Sequence, residues 1–180
     1  MPFMELPGEL RNRIYRLVRS LPERVIITET GYDRPKILAV SKTVRKEALS
    51  IYYLENKFYS RICHFDYSHM ARFFDGVAML EDQGVTPHAV PVSRRVSWEA
   101  PKWGNLLLWL KRHHLQDCTT RAATTENLLK KRHSVEFGLI AGMFAMTKGR
   151  RGRQSWNIVE GVLTEQRQIL VVANVAWAED

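Results

Sequence analysis

Residues 37–58 read ILAVSKTVRKEALSIYYLENKF, and the fold turns on how that run is organised. Ile37, Val44, Ala48, Ile51 and Tyr52 recur on one side at three- and four-residue intervals. Lys42, Arg45 and Lys46 fall largely on the other, so the spacing predicts a long buried helix. Asn56 suits its end, because Asn closes a helix in the left-handed region more easily than most residues. Phe58 to Phe65 then reads as a strand. The expectation is one α+β domain over residues 1–180, in which a small mixed β-sheet packs against several helices around the 37–56 helix.

Working outward towards the start, Leu6, Leu10, Ile14, Leu17 and Leu21 form an apolar stripe interleaved with Arg11, Arg13, Arg16 and Arg19. The pattern predicts a short amphipathic helix that opens at Leu6-Pro7-Gly8-Glu9 and stops at Pro22. Val25 to Thr28 is a β-branched run and reads as a buried strand, followed by a turn at Gly31 to Pro35. Downstream, Ser68 is the expected cap of a helix through Met70, Phe73, Phe74, Val77 and Leu80, which stops at Gly84. A loop at 86–91 leads to a third strand at Arg94 to Trp98. Further helices are expected around Leu106–Leu110, after a cap at Thr124 or Thr125, at Ser134–Met146, and from Ser155 through Val159 and Leu163. Ile169 to Trp177 fits both a strand and a helical stripe, and its β-branched content points to the strand.

The chain has 180 residues and a formal charge of +8, with 45% hydrophobic residues, as in ordinary globular proteins. No apolar run is long enough to span a bilayer, and the start MPFMELPGELRNR lacks the apolar core of a secretory signal. Two cysteines, Cys63 and Cys118, give no disulfide framework, so a reducing compartment, cytoplasm or nucleus, is expected. The charge is regional. Residues 111–153 hold ten Lys or Arg against three acids. An acidic partner or nucleic acid, a solvated surface and a nuclear import signal all suit such an excess. Lys148, Arg150, Arg151 and Arg153, read as a mobile basic loop at 148–153, are the candidate contacts, with Lys130, Lys131 and Arg132 upstream.

Two blocks carry a family resemblance. Leu6-Pro7-Gly8-Glu9-Leu10-Arg11-Asn12-Arg13-Ile14-Tyr15 resembles the opening of a large family of fungal F-box-like domains noted for an E-x-R signature. Ile37 to Ala48, followed by Tyr52, Tyr53, Asn56 and Phe58, is similar to that family's downstream helix and its "Y-Y-x-x-N-x-F" continuation. Together they cover the first third of the chain, the F-box-like region 4–60. The resemblance implies a protein-interaction module. F-box domains dock on a small adaptor of cullin ubiquitin ligases through the leading LP segment. Leu6, Pro7, Ile14 and Tyr15 are therefore the candidate partner contacts, each of which also suits a core position. One departure is visible, since a β-branched strand follows the first helix where an F-box continues in helices.

No site for chemistry stands out. There is no G-x-S-x-G, no Cys/His signature and no phosphate-cradling glycine loop. Cys63 with His64 and His69, and His113 with His114 and Cys118, lack the spacing of a zinc site, so packing and surface roles are expected for them. Trp98, Trp103, Trp109, Trp156 and Trp177 lie in or beside apolar runs and are expected mainly in the core. The reading is of a non-enzymatic protein with no cofactor, no metal and no membrane partner.

Overall fold

The computed structural model describes residues 2–18, 24–115 and 134–179. Arg19, Leu21 and the expected stop at Pro22, the expected cap at Thr124 or Thr125, and Lys130, Lys131, Arg132 and Cys118 lie outside those residues. The chain divides into two compact units: residues 1–61 with 72–95, and residues 62–71 with 96–180.

In the first unit, helix α1 (Gly8–Val18) precedes strand β1 (Val25–Ile27). A short 3-10 turn at Lys36–Ala39 leads into helix α2 (Lys42–Glu55), and strand β2 (Phe58–Ile62) follows. The 37–56 run is thus two pieces. Ser41 interrupts it because its hydroxyl caps α2, accepting from Val44 N at 3.2 Å. Val44, Ala48, Leu49, Ile51, Tyr52 and Tyr53 are buried on α2. Asn56 ends it in extended backbone rather than the left-handed region, and its Nδ2 donates to the Tyr52 carbonyl at 2.8 Å. The side chain satisfies a terminal carbonyl that a left-handed residue would otherwise have served.

Helix α3 (Ser68–Ala78) then leads to strand β3 (Val92–Val96), and the sheet order is β1-β2-β3. β1 pairs with β2 in parallel, Val25 opposite Phe58 and Ile27 opposite Ser60. β3 joins β2 in the same sense: Phe58 N donates to Pro91 O at 3.0 Å at one end and Ser97 N to Ile62 O at 2.8 Å at the other. The α+β class holds, but the sheet is parallel throughout rather than mixed. A helix in each connection returns the chain to its starting end, which a parallel pair requires. β2 stops at Ile62, short of the expected Phe65, because His64 and Phe65 both adopt left-handed backbone, at φ 51 and 60. The α3 cap also differs, since Asp66 Oδ1 accepts from Ser68 N at 2.8 Å.

Rings fill the centre of the first unit. Phe58 stacks on Tyr53 at 5.8 Å and meets Phe73 at 5.1 Å, while Tyr32 contacts Tyr53, Phe58 and Phe73 edge-on. The Tyr32 and Tyr53 hydroxyls lie 2.6 Å apart, and burial raises the Tyr53 phenol well above its ordinary range.

In the second unit, helices α4 (Trp103–Leu115), α5 (Val135–Arg150) and α6 (Trp156–Ala173) pack against one another pairwise. Trp103, Trp109, Trp156 and Trp177 are buried, and Trp98 is half-buried against Phe65 and Phe137. Ile169 to Trp177 is not a strand. It completes α6 and ends in a 3-10 turn at Val175–Ala178. A strand would bury 169, 171, 173, 175 and 177 together, whereas Leu170 is buried and Ile169, Val172 and Val175 are 52%, 89% and 76% exposed. Trp156, Val159, Leu163 and Leu170 form the helical stripe that packing rewards, and it outweighs β-propensity. Glu136 fixes the turn, accepting from Asn174 Nδ2 and Trp177 Nε1.

Candidate functional site

The two sequence blocks that carry the family resemblance meet at one carboxylate. Glu47 projects from α2, and its Oε1 and Oε2 accept from Arg11 Nη2 and Nε, both at 2.9 Å. Tyr15 OH donates to Oε2, also at 2.9 Å. Arg11 and Tyr15 are one helical turn apart on α1, so both reach the same acceptor. The remaining Arg11 nitrogen donates to the Leu6 and Met4 carbonyls, which ties the LP segment into the same network. Arg11 holds the Glu47 carboxyl below its ordinary range. Burial first, and then the hydrogen bond to Glu47, push the Tyr15 phenol up to about 12. A second Arg–Glu fork, Arg16 on Glu55, lies further along the same two helices and is solvent-exposed.

This network decides which face of α1 turns inward. Tyr15 is 2% exposed and belongs to the core, so it is closed to a partner. Leu6 and Ile14 are half-buried and Pro7 is exposed. Leu10 and Leu17, expected to face the core, are 47% and 66% exposed. The inward face is therefore built around Arg11 and Tyr15, and Leu10 and Leu17 line the outer face. A hydropathy pattern counts Arg11 as polar and assigns it to water, whereas a bidentate carboxylate partner and its apolar stem suit it to a half-buried place. The arginine's partner, Glu47, is distant in sequence and carries no signal of its own outside the second block.

Below α1 a cavity of about 10 Å³ lies between Tyr15, Pro35, Leu38, Ala48, Ile51 and Tyr52, room for about one water. Among the described residues no group of three His, Cys, Asp or Glu side chains could hold a metal ion. Cys63 and His64 sit in the turn after β2, where His64 Nδ1 lies 2.7 Å from Ala100 O, and His69 is buried on α3.

The basic candidates divide by role. Lys148 and Arg150 occupy the last turn of α5, so 148–150 is helix and not loop. Arg151 is anchored: its guanidinium donates to the carbonyls of His113 and His114, the latter at 3.2 Å, closing the C-terminal end of α4. Gly152 reverses the chain at φ 69, and Arg153 is exposed. The expected mobile loop is thus a pinned turn. His113 and His114 are buried beneath it, with His113 Nδ1 3.0 Å from Thr147 Oγ1. Burial first, then the charges of Arg151 and Lys148, push the His113 imidazole down to about 4.

No family model, no curated protein and no solved structure matches this chain.

Proposed function

We propose that the chain is a non-enzymatic protein-interaction module of the F-box-like type and that the outer face of α1 is its contact surface. The observation that carries this reading is the exposed pair Leu10 and Leu17, with Ile14 between them at four- and three-residue spacing on a helix held from behind by Glu47. Contiguous exposed apolar side chains on a fixed helix are the usual mark of a docking surface. Pro7 and Leu6 extend the stripe by one turn towards the start. The Arg11–Glu47 fork supports the resemblance physically, since it joins a residue of the first block to a residue of the second in one bidentate contact. Tyr15 contributes by holding the helix and does not touch the partner.

The partner class that the resemblance implies is the small adaptor of cullin ubiquitin ligases. Titration of the purified adaptor into the chain tests it, with Leu10→Asp and Leu17→Asp as variants and circular dichroism as the folding control. Micromolar or tighter binding that both variants weaken at least about tenfold is expected, a loss of about 1.4 kcal/mol. Absence of binding by the unaltered chain removes the adaptor as partner.

A further inference from the structure

The joined ends of α4, α5 and α6 in the second unit gather cations from three pieces of chain. Lys111 belongs to α4, and its Nζ lies 6.0 Å over the Trp156 ring at the start of α6. Lys148 and Arg150 belong to the last turn of α5, and Arg153 to the turn that follows. Their placement is fixed. Arg151 is bonded to the His113 and His114 carbonyls, Arg153 N and Gln154 N both donate to Arg150 O at 3.1 Å, and His114 Nε2 lies 3.1 Å from Gln154 O.

One cation at each helix C-terminus offsets the partial negative charge there. The number gathered here exceeds that need. Among the described residues no carboxylate pairs with Lys111, Lys148, Arg150, Arg151 or Arg153. The cations therefore repel one another with no carboxylate partner among the described residues, and an external anion relieves the repulsion. The first turn of α6 adds to the positive end, because Ser155 caps it without a side-chain bond to its amides.

We propose that this surface binds the phosphate backbone of nucleic acid, with Lys111, Lys148, Arg150 and Arg153 on phosphates and Arg151 holding the turn in shape. Residues 148–154 carry no apolar side chain, so they offer nothing from which a protein partner could form a dry apolar centre. Contacts to a phosphate backbone are polar and wet and need only placed cations. The reading rests on residues other than those of α1 and stands or falls independently of it.

Fluorescence anisotropy with labelled single-stranded and duplex DNA of about 20 nucleotides, followed over a NaCl series, tests the proposal. Binding should weaken log-linearly with salt, with a slope that reports about three to four phosphate contacts. Lys148→Gln/Arg150→Gln/Arg153→Gln should weaken binding at least about tenfold and lower the slope by about 3. Arg150→Lys/Arg153→Lys keeps the charge and should keep binding within about threefold. Lys111→Gln leaves the turn untouched and should lower the slope by about 1, which provides a second arm if the triple variant loses helical content. No binding by the unaltered chain at about 50 mM NaCl overturns the proposal, as does undiminished binding by both glutamine variants. Displacement of DNA by polyglutamate at equal charge concentration would assign the surface to acidic proteins and would overturn it too.

Discussion

Three donors from α1 converge on Glu47, so the charge of this one carboxylate governs how firmly α1 is held. Its folded pKa lies below the ordinary 4.5. Such a group adds stability that is complete above the unfolded value and is lost as pH falls through the folded one. Glu47→Gln should therefore lower the thermal midpoint at pH 7, and the gap to the unaltered chain should narrow as pH drops below 4.5. A gap constant with pH would mean that packing, not charge, fastens the helix. His113 has the opposite chemistry but the same sign. Its imidazole is held neutral down to about 4, so its contribution is complete above 6.5 and fades as pH falls between those values. The fade should be on the order of 2 kcal/mol, and His113→Gln should flatten it in pH-dependent denaturation curves. Neither environment could be read from the sequence. The sequence set Glu47 in the second block without pointing to its partners and left His113 to a packing or surface role, because the partners of both lie 32 or more positions away.

At the level of elements, α6 shows which sequence signal wins. Ile169-Leu170-Val171-Val172 has the composition of a strand, yet the helix started at Trp156 continues through it. Leu170→Ala should cost about 3 kcal/mol and Val172→Lys less than about 0.5, measured by urea denaturation. A strand with its 169–177 face buried would give a penalty for residue 173 and not for residue 170. The Ser41 cap offers a parallel check, with Ser41→Ala expected to cost about 1 kcal/mol. The helices α1, α2 and α3 and the strands β1 and β2 were readable from periodicity and β-branched runs, while β3 lies at Val92–Val96, two residues before the expected Arg94 to Trp98. The parallel direction of the strands was readable too, had the intervening helices been taken as crossovers. What periodicity could not show was the inward face of α1, because an arginine with a bidentate partner breaks the rule that charge faces water.

For the molecule as a whole, five cations, Lys111, Lys148, Arg150, Arg151 and Arg153, lie where α4 and α5 end and α6 begins, and among the described residues no carboxylate pairs with them. Added salt screens such repulsion within a Debye length of about 10 Å at 0.1 M. The thermal midpoint should rise between about 20 and 200 mM NaCl, and Lys148→Gln/Arg150→Gln should reduce that rise. A midpoint that falls with salt would mean that favourable pairs dominate. The regional charge was visible in the sequence, but its geometry was not, because Lys111 is 37 residues from Lys148 in the chain. The division of the chain has its own effect on how the protein is made. The first unit takes residues 1–61 and 72–95, and the second takes 62–71 before it takes 96–180. During translation, then, the N-terminal stretch cannot complete its sheet until β3 has left the ribosome, and the ten residues lent to the other unit must wait for helices synthesised later. A nascent chain arrested before residue 92 should accordingly be open to protease at sites that the finished protein protects.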